Sequence, residues 1–155
     1  MKQNRRTFIF LSAMVFAHRV IPAQAQDLPA VHVIKDAFCS CCNNWIRYLR
    51  DDGFVVSVED RSVEALEAFK RERKIPAQFA SCHTAVVGRY TLEGHVPVAD
   101  IRRLLSQQPE AVGLSVPGMV IGSPGMGPEE ERDAYDVVLI KRDGSASIFS
   151  SYPAA

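Results

Sequence analysis

The stretch Val31-His32-Val33-Ile34-Lys35-Asp36-Ala37-Phe38-Cys39-Ser40-Cys41-Cys42-Asn43-Asn44-Trp45-Ile46-Arg47-Tyr48-Leu49 decides how this chain is read. Its first four residues are a short β-branched run of strand type, with His32 alternating between valines as an ordinary structural residue. Trp45, Ile46 and Leu49 then recur at helical spacing on one face, so the three cysteines stand where a helix begins. Gly53, after Asp51-Asp52, suits the left-handed position that closes a helix. Phe54-Val55-Val56-Ser57-Val58 reads as a second buried strand.

Further along, Ser62 is placed to cap a second helix, with Glu64 in its first turn and Lys70, Arg71, Arg73 and Lys74 in its last, an order that complements the helix dipole. Leu66 and Phe69 supply the buried side of that helix. Thr84 to Val87 and Tyr90 to Leu92 flank Gly88-Arg89 as a hairpin. Pro97 opens a third helix whose apolar positions are Val98, Ile101, Leu104 and Leu105, and Gln107-Gln108-Pro109 ends it. Residues 113 to 128 hold five glycines and three prolines and read as a loop. Asp136 to Arg142 and Ser145 to Ser150 form a last hairpin around Asp143-Gly144. The order strand, helix, strand, helix, hairpin, helix predicts an α/β, thioredoxin-like sandwich of three layers with an extra C-terminal β-hairpin. A ferredoxin-like metal-binding domain is the alternative, and the long segment after Arg71 argues against it.

Residues 1 to 25 read as an address. Lys2, Arg5 and Arg6 precede the apolar run Phe8 to Ala17, and Ala23-Gln24-Ala25 fits a cleavage site. Arg5-Arg6-Thr7-Phe8-Ile9 has twin-arginine character, so the export route stays open between two systems. The apolar run is too short for a membrane span, because His18-Arg19 interrupt it. The expected organisation is therefore a secretory signal over 1–25 and one domain over 26–155, exported to the periplasm. Four of the 18 basic residues and none of the 18 acidic ones lie in the leader, which leaves 14 against 18 and a net charge of −4. Such a domain is a poor nucleic-acid partner.

The chemistry concentrates at Cys39-Ser40-Cys41-Cys42. Cys39 and Cys42 have redox C-x-x-C spacing, and Cys41 adds a third sulfur. At a helix N-terminus, free N–H groups and the dipole favour thiolate, which is both nucleophile and metal ligand. A plain structural disulfide involving Cys82 is the alternative in an oxidising compartment. Haem attachment is excluded, because Asn43 and not His follows the motif. Adjacent Cys41-Cys42 are awkward for tetrahedral zinc. Soft thiolates select Cu(I), and one sulfur can bridge two ions, so the cluster points to polynuclear Cu(I), in which four thiolates would balance four Cu(I) charges. Ser81-Cys82-His83-Thr84 offers a fourth thiol and an imidazole from a loop expected to face the first helix. His95, Met119 and Met126 complete the candidate ligands, the methionines as thioethers on the Gly/Pro-rich loop. The candidate metal set is thus Cys39, Cys41, Cys42, Cys82, His83, His95, Met119 and Met126. No G-x-S-x-G, phosphate loop or paired-carboxylate motif supports a hydrolase or nucleotide enzyme.

Taken in order, Cys39-Ser40-Cys41-Cys42, Ser81-Cys82-His83-Thr84, Glu93-Gly94-His95-Val96-Pro97, Val116-Pro117-Gly118-Met119 and Gly122-Ser123-Pro124-Gly125-Met126 resemble the CopG-like copper-resistance proteins. The resemblance runs from Val31 to about Phe149. It implies a thioredoxin-like fold, periplasmic copper tolerance, a cysteine-bridged copper cluster on Cys39, Cys41, Cys42 and Cys82, and a role in copper redox cycling. A periplasmic copper-handling protein is the implied partner. The sequence departs from the family at Ala37-Phe38 and Ser40, which lead into the cysteines, and at Val120, where relatives continue with Pro. The competing reading is a thiol-disulfide oxidoreductase using Cys39 and Cys42. Against it, Cys82-His83 hold the region where such enzymes carry a proline clamp, and Pro76 lies well before Thr84. A third reading, an interaction module with a structural disulfide, leaves Cys41, His83 and the methionines unexplained.

Overall fold

A computed structural model describes residues 28–155, and the leader expected over 1–25 lies outside the described residues. Over the described residues the fold is mixed α/β, with three α-helices and one seven-stranded sheet in the order β2-β1-β3-β4-β5-β6-β7. Strand β1 (Val31–Lys35) leads through α1 (Ser40–Asp51) to β2 (Val56–Asp60), which pairs parallel with β1. Helix α2 (Val63–Glu72) then crosses to the hairpin β3 (His83–Val87) and β4 (Tyr90–Glu93), with β3 antiparallel to both β1 and β4. Helix α3 (Val98–Gln107) connects β4 to the parallel strand β5 (Ala111–Ser115), and the hairpin β6 (Tyr135–Lys141) and β7 (Ala146–Tyr152) extends that side of the sheet. None of the described helices is long and apolar enough to cross a membrane.

Side chains alternate across the strands and sort the helices onto two faces. Val31 and Val33 of β1, Ala85 and Val87 of β3, and Tyr90 and Leu92 of β4 pack with Trp45, Ile46 and Leu49 of α1 and with Val98, Ile101 and Leu104 of α3 in the main core. The opposite face of the same strands meets α2. There Arg73 Nε donates to Thr91 Oγ1 at 3.0 Å, and Lys70 Nζ donates to Thr84 Oγ1 at 3.0 Å. The caps follow the sequence reading: Ser62 Oγ accepts from Ala65 N–H at 3.3 Å, and Cys39 itself caps α1, its Sγ taking the Cys42 N–H at 3.3 Å.

Three expectations need correction. The segment 113–128 is not loop throughout, because Gly113, Leu114 and Ser115 belong to β5, a central strand. A Cβ at Gly113 would lie 1.7 Å from the Thr91 carbonyl oxygen, so glycine is what lets β5 approach β4. The strand read over 54–58 is not buried along its length. Phe54 is buried, but β2 is an edge strand with Ser57 and Val58 exposed, ending on charged Glu59 and Asp60, as edge strands commonly do. Lastly, the buried side of α2 is Leu66 with Lys70 rather than Leu66 with Phe69: Lys70 stands in the last turn as read, and it is 2 % exposed. It pairs with Glu93, which is wholly buried, while Phe69 is only half-buried under the Arg61 guanidinium.

Glu93 is the centre of that second layer. Its Oε1 accepts the Ser81 N–H at 2.7 Å as well as the Lys70 ammonium, and its Oε2 accepts the Thr84 hydroxyl at 2.6 Å. Burial pushes the Glu93 carboxyl above its usual range, and Lys70, Thr84 and Ser81 each pull it back down. Removing the cation alone strands a buried negative charge, a loss of about 3–5 kcal/mol in comparable pairs. Lys70→Met is therefore expected to lower unfolding free energy by that order in urea titrations. The loss should be smaller in mildly acidic than in mildly alkaline buffer, because a carboxyl whose folded pKa is raised costs stability only once it must ionise. Lys70→Met combined with Glu93→Gln should recover much of the loss, and equal destabilisation of the single and double variants at every pH would contradict this account.

Candidate metal centre

Two segments distant in sequence build the site. The N-terminus of α1 supplies Cys39, Cys41 and Cys42, and the entry to β3 supplies Cys82 from the loop and His83 as the first residue of the strand. The Ser81 N–H bond to buried Glu93 anchors that loop from below. From the other side, the Gly118 N–H donates to the Ala80 carbonyl at 3.0 Å and the Ser81 hydroxyl donates to the Gly118 carbonyl. His95 follows β4 by two residues, so the strand that carries Glu93 also delivers the second imidazole.

The four sulfurs converge. Cys82 Sγ lies 3.6 Å from Cys42 Sγ and 3.8 Å from Cys41 Sγ, and Cys41 Sγ is 3.5 Å from Cys39 Sγ. The four ligand atoms all fall within 4.8 Å of one another. Cys39 and Cys42 are joined by a disulfide, whereas Cys41 and Cys82 are free. The alternative of a staple involving Cys82 is thereby corrected: the C-x-x-C pair closes on itself, because both of its sulfurs belong to one helix turn. A second group of Cys82, His83 and His95 shares the Cys82 sulfur, with His83 Nδ1 at 3.3 Å and His95 Nε2 at 3.2 Å.

Burial sets the electrostatics. The Cys82 thiol is pushed up to about 12, first by loss of water and then by Cys41 alongside it. Both imidazoles are held below their usual range by burial, and His83, the deeper of the two, is lowered further by His95 and Lys70. Burial thus favours the neutral ring at both positions, the form in which an imidazole binds a metal. His83 packs against Trp45 with ring centroids 4.5 Å apart and meets His95 edge to face at 5.0 Å. The Trp45 indole N–H donates to the Val96 carbonyl at 2.9 Å, which ties the floor of the site to the His95 segment.

The two methionines sit differently. Met119 is 65 % exposed, next to the Gly118 that grips Ala80 and Ser81. Met126 is half-buried and follows Pro124, whose carbonyl accepts from His95 Nδ1 at 2.8 Å, and Gly125, where a Cβ would lie 2.6 Å from the Trp45 backbone nitrogen. Both Pro-Gly-Met segments thus have backbone beside the site. His32 lies away from it and hydrogen-bonds Ser57 Oγ at 2.9 Å.

Sequence reasoning did not single out Lys70, Glu93 or the Pro124 carbonyl. Lys70 had a signal, since it falls four residues after Leu66 on the inward stripe of α2. The Pro124 contact with His95 spans 29 residues and leaves no trace in local pattern.

Residues 79–126 match the family described as "Protein of unknown function, DUF411", a span that contains Cys82, His83, His95 and both Pro-Gly-Met segments. No curated protein matches the chain. Two solved structures of a copper resistance protein, CopG forms 1 and 2, are each 41 % identical to it, cover 82 % and 81 % of this chain and 99 % of their own, and superpose with TM-scores of 0.76 and 0.75. With that identity over nearly the whole described domain, and with four cysteines gathered at one helix end, the chain belongs to the CopG copper-resistance protein family.

Proposed function

We propose that this chain is a periplasmic copper-resistance protein, exported by a leader over residues 1–25, that holds a thiolate-bridged polynuclear Cu(I) cluster on Cys39, Cys41, Cys42 and Cys82. In this reading the core β2-β1-β3-β4 with α1, α2 and α3 is a thioredoxin-like unit, extended by β5 and the C-terminal hairpin. The observation that carries the proposal is the convergence of four sulfurs, three from the N-terminus of α1 and one from the loop before β3, within 4.8 Å. The donor chemistry fits: soft sulfur ligands select Cu(I) over harder ions, and close sulfurs favour bridging over separate sites. Four thiolates and four Cu(I) ions sum to zero charge, which suits a pocket where burial already resists a bare thiolate at Cys82.

The Cys39–Cys42 disulfide adds a redox condition. Two thiols of an external dithiol reductant convert it to two cysteine thiols and are themselves oxidised to a disulfide, and only then are four sulfurs free to bind. In the reverse direction, closing the dithiol releases two electrons and two protons, enough to reduce two Cu(II) ions to Cu(I). The protein therefore sequesters Cu(I) when reduced and has the means to take part in copper redox cycling. His83, His95, Met119 and Met126 stand as further candidate contacts, with the thioethers a neutral cap over the cluster.

The same disulfide favours a second reading, a thiol-disulfide oxidoreductase of the same fold. Insulin reduction with a dithiol donor separates the two. The copper reading expects weak turnover, and robust turnover that survives Cys82→Ser would support the oxidoreductase.

Anaerobic titration with elemental analysis tests the main proposal. The dithiol-reduced protein is expected to hold more than one Cu(I) per chain with all four cysteines protected from alkylation, and the disulfide form is expected to hold less. A single copper, or preference for Zn(II), would contradict it. Cys41→Ser should impair loading as severely as Cys39→Ser or Cys42→Ser, whereas a variant that loads normally would return the site to simple C-x-x-C chemistry. Met119→Leu and Met126→Leu nearly conserve volume and should cost less than about 1.5 kcal/mol in stability. They are expected to weaken copper retention without unfolding the chain, and unchanged affinity in both would assign the methionines to packing.

A further inference from the structure

His83 and His95 both face the Cys82 sulfur at nearly equal distance, yet their outer nitrogens differ completely. His95 Nδ1 lies 2.8 Å from the Pro124 carbonyl, and a carbonyl only accepts, so that nitrogen carries the proton. The opposite nitrogen, Nε2, then presents a lone pair to Cys82 Sγ at 3.2 Å. His83 turns its Nδ1 to the same sulfur at 3.3 Å, and among the described residues nothing meets its buried Nε2 in hydrogen-bond geometry. The ring cannot relieve this by reaching water, because His83 is wholly buried between Trp45 and His95.

The Cys82 thiol has one proton to give, and His95 Nε2 can only accept it. Were His83 to present a lone pair at Nδ1, two acceptors would compete for that proton while an N–H at Nε2 stood buried without an acceptor, a loss of order 1–3 kcal/mol. With the proton on Nδ1, His83 instead donates to the sulfur, and only a lone pair is left unpaired at Nε2. Orphaned N–H groups are the rarer defect in folded proteins.

We infer that the two histidines have opposite duties toward Cys82: His95 is a metal ligand through Nε2, held in that tautomer by the Pro124 carbonyl, and His83 is a positioning residue whose Nδ1–H donates to the Cys82 sulfur. The inference rests on the copper reading above and refines its ligand set. When a Cu–S bond forms at Cys82, the thiol proton leaves to solvent, and His95 Nε2, no longer accepting it, is free for the metal. The His83 N–H stays on the sulfur. Hydrogen bonds of this kind hold ligands in place and tune the electron richness of a copper-bound sulfur.

The first arm of the test needs no copper. In the reduced, metal-free, 15N-labelled protein, long-range 1H–15N NMR of the imidazoles should show the proton on Nδ1 of both His83 and His95. A proton on Nε2 of His83 would overturn the assignment. The second arm uses Cu(I)-loaded variants. His83→Asn keeps an amide N–H near the Nδ1 position and should retain wild-type stoichiometry with imidazole scattering intact in X-ray absorption. His83→Leu should keep that scattering but bind copper about 10–100-fold more weakly, the usual cost of removing a ligand's outer partner. His95→Leu should lose the imidazole scattering. Loss of that scattering in His83→Asn, or its persistence in His95→Leu, would overturn the division of roles. If the wild-type protein bound no copper at all, the functional reading and the His95 ligand role would fall together, while the His83 tautomer would still be decided on the metal-free protein.

Discussion

The buried carboxylate of Glu93 joins the parts of this molecule that would otherwise be independent. It accepts from α2 through Lys70, from β3 through Thr84 and from the cysteine loop through the Ser81 N–H, all from the last position of β4. One residue beyond Ser81 is Cys82, and two beyond Glu93 is His95, whose facing atoms lie 3.2 Å apart. A carboxylate in apolar surroundings tolerates little freedom in its partners, because each missing hydrogen bond leaves a charge unsolvated. The cost of burying Glu93 is therefore also what fixes the distance between the loop sulfur and the imidazole.

Above that joint, two electrostatic environments meet. The α1 N-terminus offers free N–H groups to Cys39, Cys41 and Cys42, and one of these is already used, by Cys42 N–H on Cys39 Sγ. Cys82 comes from the other side with a thiol that resists ionisation, since it is buried and close to Cys41. Packing these sulfurs together is unfavourable for anions and favourable for anything that neutralises them. A disulfide does so for Cys39 and Cys42, and soft cations would do so for all four. The two solutions compete for Cys39 and Cys42, so under the proposed function copper occupancy and thiol redox state would be linked in one equilibrium.

Most of the fold is legible in the sequence wherever one face of an element is apolar. Trp45, Ile46 and Leu49 mark α1, Ser62 marks the start of α2, and Asp143-Gly144 marks the C-terminal hairpin. What escapes is decided by contacts between distant segments. Gly113 reads as a loop residue by composition, yet it is a strand residue because the Thr91 carbonyl leaves no room for a Cβ. Lys70 reads only as one of the cations in the last turn of α2, and its spacing from Leu66 is the one hint that it points inward toward Glu93. At the site, the cysteines and both histidines are evident as chemistry-bearing residues, and the structure brings them together. Their separate duties are not evident, because these depend on the Pro124 carbonyl for His95 and on the absence, among the described residues, of a partner for His83 Nε2.

The central claim is that the four sulfurs act as one bridging unit toward Cu(I). Copper K-edge X-ray absorption on the fully reduced, Cu(I)-saturated wild-type protein addresses it directly. Bridging thiolates predict a sulfur-dominated first shell together with a short copper–copper scattering path. A sulfur shell with no copper–copper path at saturation would mean isolated sites, and would contradict the account.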